Sequence, residues 1–332
     1  MRLIVVGAGG KGREWLDVAS RRRNVEIVAV VESAEDKGES ALRLPGKAIR
    51  LASLEKAFEM QADAAILASP PAVRAGQAIQ ALNAGLGVLI ETPVAANLTE
   101  AAEVFDVGRR VNKPVIVARS SRFGWAQGRL RDFVRQGRLG RITHVSVADR
   151  RKAASENGWT TEVEHVQLLD RGVDQFDGLR SILGLNAVSL MTETRTAPWS
   201  PYRHGSTTQS MIEMEQGVHV HYHGSLTAGR DEYETWVEGE KGVLWTDERI
   251  IWWRKRGWPR FIPLVVRRPR VSPQQTQRVL LEVLKSALQT ASTQSDGVED
   301  TLRTLAMFEA AVRSDRDGRS VKVAEVMGDR AS

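Results

Sequence analysis

Four glycines and one carboxylate carry the strongest chemical signal in this chain. Gly7-Ala8-Gly9-Gly10-Lys11-Gly12 follows an apolar run, Leu3–Val6, and opens a segment with helical spacing. In such a turn Gly7 permits the sharp bend, Gly9 lets backbone approach a diphosphate, and Gly12 lets the helix pack on the strand. Gly10 and Lys11 complete the loop. A helix starting here offers free N–H groups and the positive end of its dipole to an anion. Glu32 ends the next apolar run, about 20 residues after Gly12, where a carboxylate bonds the ribose hydroxyls of a dinucleotide. It would repel a 2′-phosphate, and no arginine immediately follows it, so NAD is expected over NADP.

A second constellation is His219-Val220-His221-Tyr222-His223, in a chain with only 6 histidines. On a strand all three face one way. Neighbours two apart are ~7 Å from each other and the outer pair ~13 Å, so one zinc with bonds near ~2.0 Å can take two at most. The stripe reads first as a polar sheet face at a subunit contact or lining a cleft. A two-histidine metal site completed from elsewhere is the alternative, and no metal is assigned. Trp245, Trp252, Trp253 and Trp258 read as core or oligomer surface ahead of sugar stacking.

These groups need a frame. With 332 residues, two domains are expected. Leu3–Val6, Val25–Val31, Ala64–Ala68, Val88–Glu91 and Val115–Ala118 read as strands, nearly all apolar, as in a parallel sheet covered on both faces. Helices at Lys11–Arg22, Leu54–Glu59, Ala72–Ala84 and Thr99–Arg110 alternate with them, which predicts a doubly wound α/β Rossmann domain over residues 1–120. Residues 121–332 read as an α+β domain. Helices Ala126–Gln136, Val173–Leu183, Gln275–Thr290 and Val298–Ser314 accompany strands at Ile142–Ala148, Thr208–Glu215, Val218–Tyr222, Glu232–Glu238, Gly242–Thr246 and Arg249–Trp253. Turn residues between those strands predict an antiparallel sheet.

Composition excludes some functions. With 0 cysteines there is no disulfide, thiolate nucleophile or cysteine-ligated metal, and a reducing compartment is natural. The opening apolar run stops at Gly7, too soon for a signal peptide, and no run approaches the ~20 residues of a membrane span. A cytoplasmic protein is expected. The net charge of +6 gathers in knots such as Arg150-Arg151-Lys152 and Arg267-Arg268, without a recognition helix or RNA-binding signature. Solvated turns explain most of it; an anionic substrate drawn by a positive field is the other reading, and no nucleic acid is expected.

Several short motifs, in order, resemble the glucose–fructose oxidoreductase/inositol dehydrogenase/MocA (Gfo/Idh/MocA) family. They are Ala68-Ser69-Pro70-Pro71, Ile90-Glu91-Thr92-Pro93-Val94-Ala95, Arg122-Phe123, Gly137-Arg138-Leu139-Gly140-Arg141-Ile142, Leu169-Asp170-Arg171-Gly172-Val173-Asp174 and Glu238-Gly239-Glu240-Lys241-Gly242. The resemblance implies a second domain with a large open antiparallel sheet, one face of which builds homodimers or homotetramers. It implies that Ser69, Pro70, Arg74, Glu91 and Pro93 belong to the cofactor site, and that a sugar, cyclitol or related molecule lies between the domains. The implied chemistry is hydride transfer between the nicotinamide and a hydroxyl-bearing carbon. The family's lysine and histidine for this step fall at Thr92 and Asp174 here. Thr92 carries no charge, and an unperturbed aspartate with a pKa of ~3.9 is a weak base. Asp170, four residues before Asp174, would raise it if the segment is helical. His165 is a substitute base, and Arg122 and Arg171 are substitute cations and substrate ligands. The departures leave two alternatives to a dehydrogenase: a catalytically degenerate cofactor- and sugar-binding protein, or an NAD-dependent enzyme that cleaves glycosides by transient oxidation.

Overall fold

The computed structural model describes residues 1–32, 44–152, 159–265, 274–290 and 297–329; the Arg267-Arg268 knot lies outside them. The chain forms two compact units, Met1–Ser120 with Ser272–Leu302, and Ser121–Val271 with Arg303–Ser332.

The first unit begins with β1 (Arg2–Val6), α1 (Gly10–Ser20), β2 (Glu26–Val31), β3 (Ile49–Leu51), α2 (Leu54–Phe58) and β4 (Ala64–Leu67). It continues with α3 (Pro71–Asn83), β5 (Gly87–Glu91), α4 (Leu98–Arg110) and β6 (Val115–Ala118). The strands lie in the order β3-β2-β1-β4-β5-β6 and all pairs are parallel. This is the doubly wound order, in which the connections reverse direction between β1 and β4 and leave a crevice at their carboxyl ends. The Gly7 turn follows β1 and the Ser69 turn follows β4, so topology alone brings both to that crevice. Continuous burial explains the strand composition: Leu3, Ile4, Val5, Ala64, Ala65, Ile66 and Leu67 expose nothing.

Local chemistry sets the helix ends. Asn97 Oδ1 accepts from the Glu100 N–H at 2.9 Å, while Asn97 Nδ2 donates to Glu100 Oε1 at 2.8 Å, so one side-chain pair caps α4. Asn97 is the N-cap of α4. The strand β3 has no counterpart in the sequence reading, because three residues are too short for a period to show.

The second unit contains α5 (Trp125–Arg135), β7 (Ile142–Lys152), α6 (Val173–Leu183), β8 (Ala187–Arg195), β9 (Thr207–Met214), β10 (Val218–Ala228) and β11 (Glu232–Gly239). It continues with β12 (Gly242–Thr246), β13 (Ile251–Lys255) and β14 (Ile262–Val265). The helices α7 (Gln275–Thr290) and α8 (Val298–Asp317), then β15 (Val321–Lys322) and α9 (Val323–Asp329), complete the chain. The second sheet has nine strands in the order β14-β13-β12-β11-β7-β10-β9-β8-β15. Every neighbour is antiparallel except β7 and β10, which run parallel. The sheet is therefore mixed, with β7 inserted between two strands that follow it in the chain.

One face of this sheet is covered. Phe176 of α6 meets Tyr222 of β10 edge to face at 5.4 Å, and Phe133 of α5 meets Trp253 of β13 at 5.5 Å. The alternate residues His219 and His221 point away from that face and are exposed, while Val218, Val220 and Tyr222 are buried. The sequence places α7 in the second domain, yet its Leu280, Leu281 and Leu284 are buried in one cluster with Trp15, Leu16 and Ile27 of the first unit. An apolar stripe specifies that a helix must be buried, not against what; each such side chain contributes roughly 1.5–3 kcal/mol wherever it finds a dry partner.

Candidate functional site

The glycine turn has the shape its sequence predicts. Gly7 sits at φ +87°, and a Cβ there would come within 2.8 Å of the Ser69 nitrogen. A Cβ on Gly12 would lie 1.8 Å from the Gly7 carbonyl oxygen, so α1 presses directly onto the turn. Around Gly9 and Gly10 nothing stands within 4 Å of a Cβ position. Gly9 caps α1 without a side-chain hydrogen bond, and no acid occupies the first turn. The helix therefore ends in open space with its N–H groups facing outward, which fits a dinucleotide diphosphate on backbone alone. Lys11 stands beside this turn with its ammonium 3.4 Å from Glu14 Oε2. Glu32 follows β2 with its carboxylate largely covered, and Arg50 Nη1 of β3 lies 3.7 Å from Glu32 Oε2. Sequence inspection finds no arginine next to Glu32; the sheet supplies one from 18 residues on, since Val31 pairs with Leu51.

The second turn is held by a buried arginine. Arg74 Nε donates to the Ser69 carbonyl at 2.9 Å, Nη1 donates to the Glu91 carbonyl at 2.9 Å and also to the Pro93 carbonyl. One guanidinium thus ties the segment after β4 to the Thr92-Pro93 segment after β5, whose connecting peptide bond is cis. The Glu91 carboxylate is buried and accepts from Trp15 Nε1 at 2.6 Å. Ser69 is buried and bonds Gln77, and Pro70 precedes the first residue of α3. Arg74 and Glu91 therefore brace the crevice from behind, while Gly7, Gly9, Gly10, Gly12, Ser69 and Pro93 form its turns.

In the second unit the polar groups gather on the covered face of the sheet. Asp149 of β7 is fully buried, with Arg151 Nε donating to Oδ1 at 2.5 Å and Arg171 Nε to Oδ2 at 3.1 Å. Gln175 Nε2 also donates to Oδ2, at 3.0 Å. Burial works against the charge on Arg171, but the charge and hydrogen bond of Asp149, with Asp174 and Asp170, outweigh it and push its pKa up. Asp170 sits in a π-helical turn, Leu168–Gly172, that runs into α6, and Asp174 lies in the first turn of α6. Widened turns of this kind recur at functional sites. Nearby, Gln167 Nε2 donates to the Tyr222 hydroxyl at 2.6 Å, and burial pushes the Tyr222 pKa up. Arg122, in contrast, is committed: its Nε and Nη2 each donate to Asp177 at 2.6 Å, and that carboxylate also accepts from Thr304.

Comparison with known proteins decides the family. Residues 1–119 match the family described as "Oxidoreductase family, NAD-binding Rossmann fold", and residues 128–245 match the GFO/IDH/MocA C-terminal domain. The chain belongs to the Gfo/Idh/MocA oxidoreductase family. It is 26% identical to a Sinorhizobium fredii protein designated y4oX, over 98% of this chain and 96% of that one. It is also 26% identical to an inositol 2-dehydrogenase of Corynebacterium glutamicum, over 66% of this chain and 65% of that relative. An oxidoreductase from Agrobacterium radiobacter, solved in complex with NAD+, L-tartaric acid and magnesium, superposes with a TM-score of 0.82 over 98% of this chain and 99% of that one, at 16% identity. Residues 1–119 are thus the NAD-binding Rossmann domain of a Gfo/Idh/MocA protein.

Against that family background, Thr92 is half-buried and Asp174 half-buried, in different units. His165 has φ +52° and lies 3.6 Å from Asp315 through Nε2. Burial lowers its pKa, and this exceeds the opposing pull of Asp315 and Glu164. The histidine stripe alternates as expected on the exposed face of β10, and pairing sets His144 of β7 opposite His219. Among the described residues no group of three or more His, Asp or Glu side chains is arranged to hold a metal. No helix among them is long and apolar enough to cross a membrane. Asp149 is absent from the sequence reading. The alternation of Val145 and Val147 places Asp149 on the buried side, but the strand is expected to end at Ala148, one residue short.

Proposed function

We propose that this protein is an NAD-dependent oxidoreductase acting on a hydroxyl-bearing carbon of a sugar, cyclitol or related small molecule. The observation that carries the reading is the bare helix start at Gly9-Gly10, with Glu32 at the end of the neighbouring strand. In this reading the Gly7–Gly12 backbone with Lys11 holds the diphosphate, Glu32 accepts from the adenosine ribose, and Ser69, Pro70, Thr92 and Pro93 border the nicotinamide. Bound NAD supplies a hydride acceptor; the substrate hydroxyl must lose its proton to the protein in the same event. Asp174 is our proposed base, with Asp170 beside it in sequence and Arg171 as the cation that steadies developing negative charge. His165, whose pKa burial lowers, is the substitute base. Thr92 offers a hydroxyl but no charge, so Arg171 takes over the role of the family's lysine. The relatives support a polyhydroxylated substrate: one is named inositol 2-dehydrogenase, and one is solved with the hydroxy acid L-tartaric acid.

The test is absorbance at 340 nm when NAD is mixed with inositols, aldoses, polyols and sugar acids. Reduction with any of them, lost in Asp174→Ala, is expected. A second reading is favoured by the simultaneous loss of lysine at 92 and histidine at 174: a protein that binds cofactor and sugar without turnover. Binding without reduction, together with activity gained in Thr92→Lys plus Asp174→His, would support it over ours.

We further propose a cytoplasmic homo-oligomer assembled through the open face of the second sheet. Met211 is 64% and Met191 38% exposed on paired strands there, beside His221. Equilibrium sedimentation is expected to give a dimer or tetramer that Met211→Glu dissociates.

A further inference from the structure

We infer that the substrate carries a carboxylate, and that the terminal amino groups of Arg151 and Arg171 receive it. Its role as substrate rests on the oxidoreductase reading, whereas the binding site does not.

A buried ionised carboxylate needs matched partners. Asp149 has more than a match: two guanidinium groups, one on each oxygen, plus the amide of Gln175. Asp149 and its two arginines sum to one positive charge, and Asp174 and Asp170 act on Arg171 besides. Both arginines spend Nε on Asp149, and among the described residues Asp149 is the only hydrogen-bond partner of either. Each therefore keeps terminal N–H donors for another acceptor. Their side chains are 26% and 31% exposed, so a ligand from solvent can reach them. Paired planar forks held by a common anchor suit a carboxylate, which takes two parallel N–H bonds from each fork. Asp149 is then a positioning residue: it fixes both guanidinium groups and touches no ligand.

Two further observations narrow the anion. Asp174 and Asp170 also act on Arg171, so a doubly charged phosphate meets more repulsion there than a single carboxylate does. Arg151 also lines a cavity of about 450 Å³, but there Asp231, Glu232, Glu234, Asp247 and Glu248 outnumber Arg151, Arg230 and Arg249, which disqualifies it as the anion's seat. The ligand class is a monocarboxylate on a hydroxylated skeleton, an aldonate or uronate. The knot Arg150-Arg151-Lys152 thereby acquires a purpose that solvated-turn chemistry does not give it.

The experiment compares D-gluconate with D-glucitol, which differ in carboxylate against hydroxymethyl at one end, by calorimetric titration of the full chain with NAD present. Gluconate is expected to bind ~10-fold or more tightly at low salt. Arg151→Gln should erase that preference and Arg151→Lys restore part of it, each checked for folding by circular dichroism. If Arg151→Gln fails to fold, Arg171→Lys serves in its place, with the preference reduced. Equal affinities, no gluconate binding, or an unchanged preference in a folded Arg151→Gln would overturn the site. Tighter binding of D-glucitol 6-phosphate than of gluconate would overturn the monocarboxylate assignment. Gluconate binding with no reduction of NAD would instead sink the oxidoreductase role and leave the site standing. Oxidation of both compounds with equal KM would do the reverse.

Discussion

Two alanine substitutions three residues apart, at Gly9 and Gly12, should behave in opposite ways. At Gly9 the backbone sits at φ −67°, which alanine tolerates, and an added methyl meets nothing within 4 Å. Lost chain freedom in the unfolded state favours Gly9→Ala by ~0.4–1 kcal/mol, and the poorer N-cap costs a few tenths or more, so stability should move by less than ~1 kcal/mol. The methyl instead occupies the space in which a diphosphate would approach the amides. Losing one charge-assisted hydrogen bond, at ~1.5–3 kcal/mol, weakens NAD binding about 10- to 100-fold. At Gly12 the methyl would lie 1.8 Å from the Gly7 carbonyl oxygen, more than an ångström inside the 3.0 Å that real Cβ contacts respect. That obstacle is backbone, so α1 must shift, and the cost belongs at the upper end of ~1–3 kcal/mol for overpacking. Urea unfolding and NAD calorimetry on both variants separate the effects. The reasoning fails if Gly9→Ala binds NAD like the wild type, or if it loses stability while Gly12→Ala does not.

Other expectations follow from the same geometry. Glu32→Ala should free Arg50, 3.7 Å away, for a 2′-phosphate and raise the NADP-to-NAD ratio of affinities ~10-fold or more; an unchanged ratio would place the ribose elsewhere. His165 titrates below its ordinary value because of burial, so the unfolded chain takes up the proton first. Stability should therefore be full above about pH 6.5 and fall as the pH drops below it, with His165→Gln flattening that limb of a urea-midpoint profile. Asp177→Ala removes the buried carboxylate that accepts two hydrogen bonds from Arg122, and should cost ~3–5 kcal/mol in the same assay. Trp15→Phe removes the 2.6 Å indole hydrogen bond to the buried Glu91 carboxylate, at ~1–3 kcal/mol.

The first unit was legible almost residue by residue, because each of its signals is local. Strands buried on both faces read as unbroken apolar runs, and Gly7, Gly12 and Asn97 act within a few residues of where they stand. In the second sheet β7 and β9 to β13 were legible from alternation and turn residues, whereas β8 and β14 have no counterpart in the sequence reading. The site chemistry there was not. Arg122 and Arg171 look like interchangeable free cations in the sequence, yet one is clamped by Asp177 and the other shares Asp149 with Arg151.

The amino-acid order by itself determined most of the segments that become strands and helices, where α1 starts, and that a carboxylate stands at position 32. Propensity, periodicity and capping involve neighbours along the chain, so they survive without knowledge of the fold. Tertiary structure alone decided that Arg50 lies against Glu32, that Arg74 ties two turns together, and that α7 buries its leucines on α1. It also decided that Asp149, a lone acid near a strand end, holds two arginines from different elements. Those outcomes depend on the parallel pairing of β7 with β10 and on strand order in the first sheet. Pairing between distant segments is fixed by the best joint burial of many residues, which no short stretch of sequence encodes.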